Sequence, residues 1–202
     1  MTLAIDDAFL PATLTSHPMS DEEFAAFCAE HPDLSLEMSA EGEIIVMPPT
    51  FSLTGFRNFE LDGQLRQWAR KDGRGIGCDS STGFVLPNGA RRSPDAAWIL
   101  KSRVTQLDPK SLELYWHICP DFVIELRSAS DRTKNIHAKM LEWVANGAEL
   151  AWLIDPGTRS VTVFRRDRAE EKLTGIESIA GEGLVAGFVL DLGPVWNPLS
   201  EN

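Results

Sequence analysis

Two short segments of this chain each carry a carboxylate where the pattern calls for hydrocarbon. Ser93-Pro94-Asp95-Ala96-Ala97-Trp98-Ile99 and Pro120-Asp121-Phe122-Val123-Ile124-Glu125-Leu126-Arg127-Ser128 both read as apolar strands. Side chains alternate along a strand, so Val123, Glu125 and Arg127 share one face. An ionised carboxylate in apolar surroundings is costly unless a cation or a metal neutralises it. Mg²⁺ takes oxygen ligands and is commonly held by one or two carboxylates, with water and substrate phosphate completing its shell. Asp95 and Glu125, ending at one sheet edge, would suit such an ion, with the Leu126 carbonyl beside them. In the competing reading, Asp95 caps the turn after Pro94 and Glu125 pairs with Arg127. Spacing leaves both open.

The chemistry also needs a cation. On a helix over 131–145, at 100° per residue, Ile136, Met140, Trp143 and Val144 form one stripe, and Lys139 falls at its margin beside Arg132. A lysine there can lean toward Glu125 and orient an attacking water, or its stem can simply cover apolar surface. Arg127 can clamp a phosphate but is a poor general base, because it stays protonated. Glu37, in Leu34-Ser35-Leu36-Glu37-Met38, reads from its own surroundings as a solvent-facing hairpin residue. Ser128 and Ser130 read as helix caps, since no G-x-S-x-G context surrounds them. The four histidines have no metal-binding spacing.

Several elements must position these groups. Ser20 with Glu23 is a capping box and predicts a helix to about Ala29. Residues 34–38 and 43–47 predict a hairpin ended by Pro48-Pro49. Leu61, Leu65 and Trp68 predict a helix over 52–71. Gly73, Gly75 and Gly77 then read as a turn-rich connection without the Walker spacing. Strands are expected at 82–86, 94–100, 120–128, 150–154, 160–165 and 187–192, with a connection over 101–119 that can hold a short helix. The strand–helix–strand unit 121–154 predicts a parallel pair, and the hairpins predict antiparallel neighbours. The fold class is therefore α/β, a mixed central sheet flanked by helices, with an N-terminal helix and β-hairpin. Residues 1–18 read as a flexible lead-in, 19–195 as one domain and 196–202 as a tail.

The net charge of −11 argues at first against a nucleic-acid binder, yet it is unevenly spread. Residues 1–56 hold ten acidic and no basic side chains, 57–139 ten acidic and fourteen basic, and 140–202 ten acidic and five basic. The net-cationic segment is the one that contains both acidic strands, so an acidic protein can still offer phosphates a cationic face. No apolar run approaches the roughly 20 residues of a membrane span. Cys28, Cys78 and Cys119 lack a CxxC spacing and read as reduced thiols, so cytoplasmic residence is expected.

Taken in order, Arg92 to Trp98, Pro120 to Ser128, Lys139-Met140-Leu141-Glu142-Trp143, Asn146-Gly147 and Trp152 to Pro156 resemble the Uma-type restriction endonuclease family of the PD-(D/E)XK nuclease superfamily. The resemblance runs from about Leu36 to Leu192. It implies a restriction-endonuclease-like fold and a DNA endonuclease that depends on Mg²⁺, with Mn²⁺ able to substitute, working as a homodimer. By position, Asp95 becomes the aspartate of the PD pair and Glu125 the second metal-binding acid. Glu37 becomes an accessory site residue. The superfamily pattern wants lysine two residues after the second acid, where this chain has Arg127. The resemblance implies that Lys139, from the following helix, takes that role. If it does not, the alternative is a catalytically inactive nuclease-fold protein that binds nucleic acid or serves in assembly. A further rival is a hydrolase or transferase acting on small phosphorylated compounds.

Overall fold

A computed structural model describes residues 11–14, 16–129 and 131–200. Its centre is a six-stranded mixed sheet in the order β11-β10-β9-β8-β7-β4. These strands are β4 (Gly75–Asp79), β7 (Ala96–Leu100), β8 (Phe122–Leu126), β9 (Leu150–Asp155), β10 (Ser160–Arg165) and β11 (Arg168–Thr174). β8 and β9 run parallel, and the other neighbours are antiparallel. The parallel pair follows from its connection, α4 (Thr133–Ala145), which carries the chain back along the sheet.

Alternation along the strands feeds two apolar layers. Phe122, Ile124 and Leu126 of β8 join Ala96 and Trp98 of β7 on the side covered by α2 (Ser52–Asp72), where Leu61, Leu65 and Ala69 pack. Val123, Ala97 and Ile99 face α4, whose Ile136, Met140 and Trp143 are buried as the stripe requires. Glu125 shares its parity with Val123 and so enters the α4 side.

A second, five-stranded sheet has the order β1-β3-β2-β6-β5. It comprises β1 (Ala12–Leu14), β2 (Ser35–Met38), β3 (Ile44–Met47), β5 (Phe84–Val85) and β6 (Arg91–Arg92). The helix α1 (Asp21–Glu30) opens with the expected capping box: the Ser20 hydroxyl accepts from the Glu23 N–H, and the Ser20 N–H donates to the Glu23 carboxylate. The tight β2–β3 turn uses Gly42 at φ 90°, where a Cβ would stand 2.4 Å from the Pro18 nitrogen. The small pair β12 (Ser178–Ala180) and β13 (Val189–Asp191), with the short α5 (Gly193–Trp196), closes the α2 layer.

Several expectations need correction. Residues 12–14, assigned to the lead-in, form a strand paired with β3; residues 1–10 and 15 lie outside the described residues, as does Ser130. The glycine-rich connection is strand β4, because a Cβ at Gly75 would lie 2.2 Å from the Trp98 indole: the missing side chain makes room for the ring. The strand expected over 82–86 shortens to β5, with β6 added after a turn. β11 went unread since all its side chains but the half-buried Leu173 are exposed, leaving no apolar alternation. Ser128 does not cap α4; Arg132 occupies the cap position with no side-chain bond.

Candidate active site

The register of β7 on β8 pairs Ala97 with Val123 and Ala96 with Ile124. Extended by one residue, it sets Asp95 opposite Glu125. Neighbours on directly opposed positions of antiparallel strands stand roughly 5 Å apart at Cβ. Asp95 precedes β7, at the sheet end, where both layers reach it. Asn58 of α2 donates from Nδ2 to Asp95 Oδ1 at 2.8 Å, and the Leu126 N–H donates to Oδ2 at 2.7 Å. Burial raises the Asp95 carboxyl above its ordinary range, with those two donors and the Lys139 charge working against the rise.

Glu125 is 3 % exposed. Lys139 Nζ lies 2.8 Å from its Oε1, and Trp143 Nε1 donates to the same oxygen at 2.8 Å. The two donors sit four residues apart on α4 and hence on one face. Lys139 Nζ also lies 2.9 Å from Glu37 Oε1 and 2.9 Å from the Ser93 carbonyl. The ammonium's three N–H groups thus meet three acceptors. Burial pushes Glu125 up to about 8; Lys139 pulls it down, while Asp95 and Glu37 add to the rise. Lys139 itself is raised, its two carboxylates outweighing the opposing effect of burial.

Glu37 is buried, against the solvent-facing reading. Its carboxylate accepts from Lys139, from Arg92 Nη1 at 3.1 Å and from the Ser93 N–H at 3.1 Å. Burial acts to raise Glu37, but Lys139 and Arg92 outweigh it and hold the group low. Arg92 reaches on to Glu142 at 2.5 Å. Glu37, Asp95, Glu125 and Glu142 are thus grouped around two cations, Lys139 and Arg92.

These groups line a cleft of about 800 Å³ between the second sheet and the N-terminal ends of α2 and α4. Leu126 and the exposed Arg132 line it too. Arg127 does not. Its Nη1 is 2.8 Å from Asp155, and its N–H bonds the Ile154 carbonyl as the chain leaves β8. Glu125 takes Lys139 as its partner instead of Arg127, so the buried-bridge reading fails for both residues. A smaller cavity of about 310 Å³ beneath the β10–β11 hairpin includes Asp121 and Glu182, already paired with Arg103 and Arg165.

The Uma2 family, described as putative restriction endonuclease, matches residues 21–193. The chain belongs to this family. Among solved structures, a crystal structure of a putative nuclease of DUF820 from Anabaena variabilis aligns with TM-score 0.73 at 19% identity, covering 89% of this chain and 98% of that one. No curated protein matches.

In this Uma2 protein the donor set suits a hard divalent cation: carboxylate and carbonyl oxygens, with no thiol or imidazole in the cleft lining. Among the described residues no group of three or more His, Cys, Asp or Glu side chains is arranged to hold a metal, so the fit rests on two carboxylates plus the Leu126 carbonyl. The sequence reading missed Asn58, Trp143 as a donor, and Arg92. Asn58 did carry a signal, a polar residue on the buried stripe with Leu61, Leu65 and Ala69. No helix among the described residues is long and apolar enough to cross a membrane.

Proposed function

We propose that this protein is a divalent-metal-dependent endonuclease hydrolysing DNA phosphodiester bonds. The observation that carries the reading is a pair of buried carboxylates in an open cleft, Asp95 just before β7 and Glu125 on β8, brought opposite each other beside Lys139. Asp95, Glu125 and the Leu126 carbonyl would hold Mg²⁺, or Mn²⁺ in its place. When bound, such an ion supplies charge compensation at the phosphate and a lowered pKa for the attacking water. Lys139 orients that water from the α4 side, Glu37 fixes the ammonium, and Arg92 holds Glu37. Arg132, exposed at the mouth, is placed to meet a phosphate. The same reading takes the protein as a cytoplasmic homodimer, which sedimentation and fractionation would test.

The direct experiment is plasmid nicking with Mg²⁺ or Mn²⁺. Asp95→Ala and Glu125→Ala should each remove cleavage while remaining folded; equal cleavage by wild type and both variants would defeat the proposal.

A second reading, a silent nuclease scaffold that binds nucleic acid, draws support from Lys139. Each of its three donors already has a protein partner, and Arg127 is turned to Asp155. Salt-dependent DNA affinity without turnover in any divalent ion would select it.

A further inference from the structure

Asn58 lies in the second turn of α2 and is 9 % exposed, on the stripe that otherwise buries Leu61, Leu65 and Ala69. Asparagine is a poor helix former, and burial of its amide requires partners. One partner is present: Nδ2 donates to Asp95 Oδ1 at 2.8 Å. A carboxylate only accepts, so the amide must present its NH₂ to Asp95 and turn its oxygen elsewhere. That oxygen, Oδ1, is buried and has no hydrogen-bond partner among the described residues. Asn58 also lines the cleft.

We propose that Asn58 is a positioning residue of the hydrolytic centre. Its NH₂ holds the Asp95 carboxylate in the orientation an ion needs. This rests on the metal reading above and extends it to the α2 side of the site. Asp95 would otherwise have the Leu126 N–H as its one close donor. A leucine of similar size at 58 would keep the packing and remove the donor to Asp95. Partners that orient metal ligands typically change affinity 10- to 100-fold when lost.

The test is calorimetric titration of the full chain with MnCl₂, alongside thermal melting. Wild type should bind. Asn58→Leu should bind about 10- to 100-fold more weakly while still melting cooperatively, and Asn58→Ala should behave alike. Leu61→Ala, a cavity one turn on in the same helix, should lower the melting temperature and keep the wild-type affinity. Wild-type affinity in folded Asn58→Leu or Asn58→Ala would overturn the inference, as would an equal loss in Leu61→Ala, which would mean that α2 placement alone matters. No Mn²⁺ binding by wild type would instead bring down the metal reading, and this inference with it.

Discussion

If the proposed site is right, metal affinity should depend steeply on pH, because an ion held by Glu125 must displace its proton. With that carboxyl pushed up to about 8, only about 1% is ionised at pH 6 and roughly a tenth at pH 7. Mn²⁺ affinity should therefore be about 100-fold weaker at pH 6, and about tenfold weaker at pH 7, than on the plateau above pH 8. Calorimetry between pH 6 and 8.5, in buffers of differing ionisation enthalpy, gives both the affinity and the proton count, which should be close to one at pH 7. Glu125→Gln should bind weakly, with most of this dependence gone. The stability of the metal-free protein should show the same linkage. The folded value lies above the ordinary 4.5 of a glutamate, so this group's stabilisation is fully present below about 4.5 and is lost as pH rises toward 8. Its size is on the order of 5 kcal/mol at most. Glu37, held low, works the other way: its contribution is present above about 4.5 and lost as pH falls through the depressed value. The metal-free melting temperature should accordingly decline between pH 5 and 8, and divalent ions should restore it. An affinity that stays flat from pH 6 to 8.5, with no proton released, would refute the reasoning.

Other substitutions separate the roles of the neighbours. Lys139→Met strands Glu37 and Glu125, and should cost about 3–5 kcal/mol in urea unfolding of the metal-free protein and lower nicking by about 10²-fold or more. Trp143→Phe keeps most of the ring but removes the N–H that donates to Glu125; a loss of about 1–3 kcal/mol is expected, with the pH midpoint of Mn²⁺ binding shifted upward. Arg127→Ala breaks a partly exposed pair with Asp155, so stability should change by less than about 1 kcal/mol and nicking should stay near wild type. A tenfold or larger loss of nicking in Arg127→Ala would return that arginine to the site.

The helices and central strands were legible because their burial is periodic: Leu61 and Leu65 on α2, Ile136, Met140 and Trp143 on α4, and the continuous apolar run of β8. Asp95 and Glu125 stood out as charges inside such runs. Glu37 did not, since its burial is produced by Lys139 and Arg92, each more than fifty residues away in sequence. No local pattern encodes that contact. β4 was hidden for a related reason: Gly75 is there for the sake of Trp98, and a residue that serves by lacking a side chain reads as a turn. β11 lies at the edge of the sheet and exposes Arg168, Glu170 and Glu171, so it carries hydrogen bonds without the apolar signal that marks a strand.

In the proposed site the cation stands on a helix and not at position 127, and the geometry gives a reason. β8 ends at Leu126, and the next residue bonds to β9 and turns its side chain to Asp155, so a lysine at 127 would follow that path away from Glu125. α4 returns over the same carboxylate with Lys139 and Trp143 one turn apart, which is why both meet Glu125 Oε1. This placement has a consequence for the order of events. An ammonium with three protein acceptors can turn a donor to water or phosphate only by releasing one of them. The Ser93 carbonyl is fixed by the backbone, and Glu37 is held independently by Arg92 and the Ser93 N–H. Glu125 is the acceptor whose charge a divalent ion would share, and so the one Lys139 can give up at least cost. Metal binding should therefore precede any contact of Lys139 with substrate, and DNA alone should leave the ammonium where it is.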